Sequence, residues 1–223
     1  MNTTAIILAG GRSSRMGSDK ALIELGGLTV LERLIRELEP VASRIVIAAG
    51  NEAAYGRFGK EVVTDDYPGA GPLAGLHAGL ESSASLWNLA VACDTPFANR
   101  GLFRALLERA EAAEALASGR AGSSEAASAS LAVTEAILAR TEGRAHPLLA
   151  AYRRSVLPGL EAQLRAGRLK MTAWTETLHT EYIEGEALAS ATGLPLEWCA
   201  FNMNKPEDYE QARIRLETGL LPD

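Results

Sequence analysis

The chain has 223 residues, 47% of them hydrophobic, enough for one large domain whose core needs no disulfide or metal. A net charge of −6 excludes nucleic-acid binding through a broadly basic surface and confines any anion site to a local basic pocket. The two cysteines make no disulfide framework, no apolar run approaches the roughly 18 residues of a membrane span, and the short apolar run near the start lacks a basic flank, so a cytoplasmic protein is expected, with neither nucleic acid nor membrane as partner.

TAIILAGG, residues 4–11, is a β-rich run closed by glycine, the pattern of a buried strand. TVLERLIRELEPVA places Val30, Leu31, Leu34, Ile35 and Leu38 at helical spacing and stops at Pro40. RIVIAAG and EVVTDDYPGAGP predict two further strands, the second running into a loop. LAGLHAGLESSA predicts a helix with Pro72 near its start, and its His77 is expected on the helix surface. LWNLAVACDTPF is a fourth strand ending at Asp94, and RGLFRALLERAEAAEAL a helix. This alternation, as far as about residue 117, is that of a parallel α/β sheet with crossover helices. Residues 117–136 are rich in Ala, Ser and Gly and suit a flexible insert, an exposed hairpin or a weak helix; they are read as loop, with a strand at residues 130–133, in an insert-like segment of about 117–140. HPLLAAYRRSVLPGLEAQLRAG resumes as strand then helix. LEWCAFNMNKPEDYEQARIRLETG gives a strand or loop, then a helix with Pro206 near its first position. No repeat or linker divides the chain, so residues 1–223 are expected to form a single domain.

The stretch LAGGRSSRMGSDKALIEL, residues 8–25, sets three glycines, two arginines and Lys20 between a strand and the next element. Glycines there let backbone N–H groups approach a phosphate, and Arg12, Arg15 and Lys20 add mobile positive charge. The combination suits a polyphosphate. It is not a P-loop, since no Gly-Lys-Ser/Thr occurs, nor a Gly-x-Gly-x-x-Gly dinucleotide fingerprint. Asp94, just past an apolar strand, lies where α/β ligand sites gather and suits Mg²⁺, which takes carboxylate and phosphate oxygens. Asn202 and Asn204 in FNMNKPED offer a second, neutral ligand or cap the last helix. Asp19 reads as structural, and Cys93 as a buried small apolar residue. The Cys and His positions make no zinc pattern, and Gly-x-Ser-x-Gly is absent.

LAGGRSSRMGSDKAL, GPLAGLHAGL, ACDTPF and FNMNKPEDY, in that order, resemble the nucleotidyltransferases of Rossmann-like fold and, among them, the molybdenum cofactor guanylyltransferase family. The resemblance covers roughly residues 4–110, 145–153 and 198–213. It implies a mostly parallel sheet flanked by helices in a single α/β domain. The implied activity is transfer of GMP from GTP to the terminal phosphate of molybdopterin, dependent on Mg²⁺, with pyrophosphate leaving. The resemblance places Leu8, Ala9, Gly10 and Gly11 against the nucleotide, Arg15 and Lys20 on its phosphates, Asp65 near the nucleotide and Asp94 on the metal. His146 then falls near the acceptor, and molybdopterin-delivery or molybdoenzyme-chaperone proteins remain open as partners. One departure stands out: the family's asparagine near the guanine aligns with Ala48, and Asn51 lies three residues on. The rival readings are cytidylyl or other nucleotidyl transfer to molybdopterin or to a sugar or polyol phosphate, and a non-catalytic nucleotide-binding protein.

Overall fold

The computed structural model describes residues 2–9, 19–50, 52–119 and 133–218. Gly10, Gly11, Arg12 and Arg15, and most of the strand expected at residues 130–133, lie outside them.

The chain runs β1 (Thr3–Leu8), a hairpin of β2 (Glu24–Leu25) and β3 (Leu28–Thr29), α1 (Val30–Leu38), β4 (Arg44–Ala48), α2 (Glu52–Tyr55), β5 (Glu61–Val63), α3 (Pro72–Ser82), β6 (Trp87–Ala92) and α4 (Arg100–Ala117). After residue 132 come β7 (Ala136–Thr141), β8 (Arg144–Arg153), α5 (Leu157–Arg165), α6 (Met171–Thr175), β9 (Thr180–Glu184), α7 (Gly185–Thr192), α8 (Leu196–Cys199) and α9 (Pro206–Glu217). Seven strands form one sheet in the order β5-β4-β1-β6-β8-β7-β9. β8 alone runs against its neighbours; the pairs β1–β4, β1–β6, β4–β5 and β7–β9 are parallel.

The inner strands β1 and β6 are buried along their whole length, as a parallel strand covered on both faces must be. Along β1, Ala5 and Ile7 face the layer of α1, α4, α7, α8 and α9, whereas Ile6 and Leu8 face that of α3, α5 and α6. α3 lies close on the sheet because its glycines carry no side chain. A Cβ on Gly79 would stand 2.4 Å from Ile6, and one on Gly75 3.3 Å from Leu8. The glycines of GPLAGLHAGL therefore serve helix-on-sheet contact at positions 75 and 79. His77 is buried against the edge of Tyr67 at 5.4 Å, not on the surface. Helix α1 starts from a reciprocal cap in which the Thr29 hydroxyl accepts from Glu32 N and the Glu32 carboxylate accepts from Thr29 N.

The expectation for residues 117–140 needs correction at its far end. Residues 136–140 belong to β7, which pairs on both sides within the sheet, and Val133 lies before the strand. Glu142 and Gly143, both with positive φ (50° and 76°), make the two-residue turn into β8.

Candidate active site

The C-terminal ends of β1, β4, β5 and β6 form one rim. Ala9 N donates to Ala48 O at 2.9 Å, Ala49 N to Val63 O at 2.9 Å and Cys93 N to Leu8 O at 3.2 Å, so all four strand ends are cross-tied. Chain order reverses across β1, with β4 and β5 on one side and β6 on the other, and ligands of open α/β sheets sit at such a point.

Asp94 lies two residues beyond β6, partly buried, with Cys93 and Phe97 packed into the core on either side of it. Burial pushes its carboxyl above the ordinary carboxylate range, and nearby Lys20 pulls it back down. Lys20 opens a single 3₁₀ turn capped by Asp19, whose Oδ1 accepts from Ala21 N at 3.0 Å. The Lys20 ammonium donates to Asn204 Oδ1 at 2.6 Å.

Asn204 belongs to a C-terminal strap of residues 200–205 that crosses this rim. Met203 N donates to the Asp94 carbonyl at 2.7 Å, and the buried Met203 side chain anchors the crossing. On either side of Met203, Asn202 meets the Asp94 carboxylate and Asn204 meets Lys20. With its nitrogen turned toward Asp94, the Asn202 carboxamide donates at 3.0 and 3.2 Å. Phe201 and Trp198, stacked at 4.7 Å and edged by Phe97, fix the start of the strap. The backbone of Asn204 and Lys205 is held by Asp208 Oδ2 at 2.7 and 2.8 Å, so the Asn204 side chain is free of capping work.

Lys20, Asp94, Asn202 and Asn204 thus come together from positions far apart in the chain. Ala9 lies on the same rim. Leu8 packs its side chain under α3. Asp65 accepts from Tyr67 N at 3.0 Å and so shapes its own turn. His146 is buried on β8, its Nε2 2.6 Å from the Thr141 hydroxyl, and burial together with Arg144 lowers its pKa, favouring the neutral imidazole. A residue that sequence reasoning missed is Tyr55, whose hydroxyl donates to Asp19 Oδ2. Its neighbourhood, EAAYGRF, carries no recognisable motif.

Among the described residues no group of three or more His, Cys, Asp or Glu is placed to hold a metal. A cation here would rest on Asp94, a neutral amide and the substrate's own phosphates. Asn202 fits that part: turning its carboxamide over puts an oxygen within 3.0–3.2 Å of both Asp94 oxygens, and a hard cation takes oxygen ligands.

Residues 5–180 match the MobA-like NTP transferase domain. The chain belongs to that family. The probable molybdenum cofactor guanylyltransferase of Pelotomaculum thermopropionicum is 32% identical over 219 residues, covering 98% of this chain and 96% of the relative. The molybdenum cofactor guanylyltransferase of Vibrio cholerae is 29% identical over 213 residues, covering 94% and 91%. The crystal structure of molybdopterin-guanine dinucleotide biosynthesis protein A from Archaeoglobus fulgidus superposes with a TM-score of 0.76 at 23% identity, over 96% of this chain and 99% of that one. The expected α/β nucleotidyltransferase fold, with its mostly parallel sheet, is the fold observed. As a member of this family the chain is a nucleotidyltransferase. Asn202 and Asn204 lie beyond the matched residues, and the strap is what brings them into the site.

Proposed function

We propose that this protein transfers GMP from GTP to the terminal phosphate of molybdopterin, releasing pyrophosphate, in the cytoplasm and with Mg²⁺. The observation that carries the reading is the meeting of Lys20 and Asp94, each attended by an asparagine of one strap. In the reaction a phosphate oxygen of the acceptor forms a bond to the α-phosphorus of GTP. The α–β bridging bond breaks, and its electron pair leaves on pyrophosphate. Both reactants are anions, so positioning and charge neutralisation dominate the barrier.

Lys20 supplies a fixed cation for the triphosphate, and Asn204 holds that ammonium at the rim until the phosphates take over its hydrogen bond. Arg15 and the backbone of Gly10 and Gly11 join it in this reading as further phosphate contacts. Ala9 contributes rim backbone and Asp65 the turn after β5. Asp94 and Asn202 would hold Mg²⁺, which when bound draws charge from the α-phosphate and the leaving group. Met203 fixes the backbone of Asp94 so that its carboxylate does not drift. Neutral His146, at the β8 side, lines the acceptor end. A delivery protein is compatible with this open rim.

The deciding experiment is thermal shift with GTP, CTP, ATP and UTP, with and without Mg²⁺, followed by pyrophosphate release on adding molybdopterin. Selective stabilisation by GTP with Mg²⁺ is expected, about 2.7 kcal/mol at a hundredfold excess over the dissociation constant. Stabilisation by CTP alone would move the reading to cytidylyl transfer.

A further inference from the structure

We propose that Tyr55 is a positioning residue that links the base side of the nucleotide site to the lysine on its phosphate side, so that the base seated at the end of β4 governs the placement of Lys20. The inference rests on the guanylyl-transfer reading. Lys20 and Asp94 mark the reacting end of the nucleotide, over β1 and β6, and β8 with His146 lies beyond β6. A triphosphate reacting there must extend its nucleoside the other way, over the ends of β4 and β5. The first element after the end of β4 is α2, and Tyr55 is its last residue.

Tyr55 points back across the rim. Its side chain is 2% exposed, within the core layer that also holds Ala9, Ala21, Ala49 and Cys93, and Cys93 at the end of β6 lies near enough to act on the phenol. Burial, and then Asp19 beside it, push the phenol well above its ordinary pKa, so at neutral pH it remains a donor. Its hydroxyl donates to Asp19 Oδ2. The other oxygen of Asp19 accepts from Ala21 N at 3.0 Å, and the Asp19 carbonyl accepts from Leu22 N at 3.0 Å. These two bonds set the turn on which Lys20 stands. One hydrogen bond to a carboxylate therefore joins α2, on the side assigned to the base, to the backbone of Lys20, so a shift of α2 on seating the base would be passed to that lysine.

The test is Tyr55→Phe in the full chain, with kcat and KM measured for GTP and ATP at saturating molybdopterin, and KM for molybdopterin at saturating GTP. The expected result is a fall of about tenfold or more in kcat with GTP, the scale of one hydrogen bond to a charged group, and a comparable fall in the GTP-to-ATP ratio of kcat/KM. The KM for molybdopterin should stay within about twofold. If Tyr55→Phe does not fold, the same ratio is read in Asp19→Asn, which removes the charge that the hydroxyl meets. A kcat and ratio both within about twofold of wild type overturn the proposal, whatever the melting temperature does. A fall in kcat with an unchanged ratio overturns it as well, because Tyr55 would then support Lys20 without answering to the base. Wild-type protein that releases no pyrophosphate from GTP and molybdopterin sinks the guanylyl reading instead, and the ratio is then taken between the triphosphate it does use and the others.

Discussion

Lys20→Met retains the aliphatic stem and removes only the ammonium. In the structure that ammonium makes a 2.6 Å bond to Asn204 and is the opposite charge that lowers the Asp94 carboxyl against its burial. Two consequences can be separated. A hydrogen bond to a charged group is worth about 1.5–3 kcal/mol, and a phosphate in place of Asn204 makes at least one, so kcat should fall roughly 10- to 150-fold. The second consequence is a pH effect. Burial already holds Asp94 above the ordinary carboxylate range, and without Lys20 it rises further. If Asp94 acts as the proposed metal ligand, activity needs the ionised carboxylate, so the acid limb of kcat/KM should move to higher pH in the variant. Stability follows the same sign. A carboxyl whose pKa is raised by folding is stabilising in its protonated form below the unfolded value, and that contribution is lost as pH rises through the folded value. Lys20→Met should therefore lose more unfolding free energy at neutral pH than in acid. The assay is steady-state pyrophosphate release with GTP, molybdopterin and Mg²⁺ across about pH 5–9, with urea unfolding at both ends. A kcat within about threefold of wild type, under 1 kcal/mol, together with an unmoved acid limb, would refute the reasoning.

Asp94→Asn should abolish turnover and the Mg²⁺-dependent stabilisation by GTP, yet leave the ligand-free melting temperature unchanged or higher, because it removes a charge that burial disfavours; a large drop in ligand-free melting temperature would contradict this. Gly101→Ala sets a Cβ 2.0 Å from the Ala191 backbone oxygen, so α4 and α7 must part. The expected net loss is about 1–3 kcal/mol by urea unfolding, even though alanine is otherwise the better helix former. Ala48→Asn, which restores the asparagine expected near a guanine, is predicted to destabilise by about 1–3 kcal/mol without raising the GTP-to-CTP ratio. Ala48 is 4% exposed, and its Cβ packs 3.6 Å from where a Cβ on Gly75 would lie, toward α3 rather than the rim. A sharper preference for GTP in that variant would show this account of position 48 to be wrong.

The first half of the fold was legible because its physics is local. β1, β4 and β6 are short apolar runs ended by glycine or aspartate, and α1 and α4 show helical spacing, so periodicity alone located them. The small elements were not. β7 reads Ala-Ile-Leu-Ala-Arg-Thr, with alanines that carry little strand preference, directly after an alanine- and serine-rich stretch; its strand character comes from pairing with β8 and β9. The Glu142-Gly143 turn was the one local sign of that hairpin. His77 looked like a surface residue because helical spacing does not say which neighbour will cover it, and Tyr67 does. In the candidate site, Lys20 and Asp94 were proposed from the elements that precede them, a glycine-rich loop and a strand end. Their companions depend on sequence separations of 184 residues for Lys20–Asn204 and 36 for Tyr55–Asp19, and no local pattern reports such contacts. The sequence proposed Asn202 and Asn204 as alternatives for one role; the fold gives them separate partners.

The two amides at the rim have a physical logic of their own. Two substrates bearing several phosphates must meet on a chain whose net charge is −6. Each further carboxylate at the rim would add repulsion at short range, where partial burial makes it expensive. The strap offers a way around this. Asn202 and Asn204 are neutral, and each can present either an oxygen or a nitrogen. In the ligand-free protein they satisfy one anion and one cation that would otherwise lie partly buried and unpaired. When phosphates and a cation arrive, amides give up these partners without leaving a stranded charge, as a glutamate or an arginine in the same place would. A strap built of amides therefore attends both Lys20 and Asp94 without adding charge, and as a segment that crosses the rim it reaches both at once.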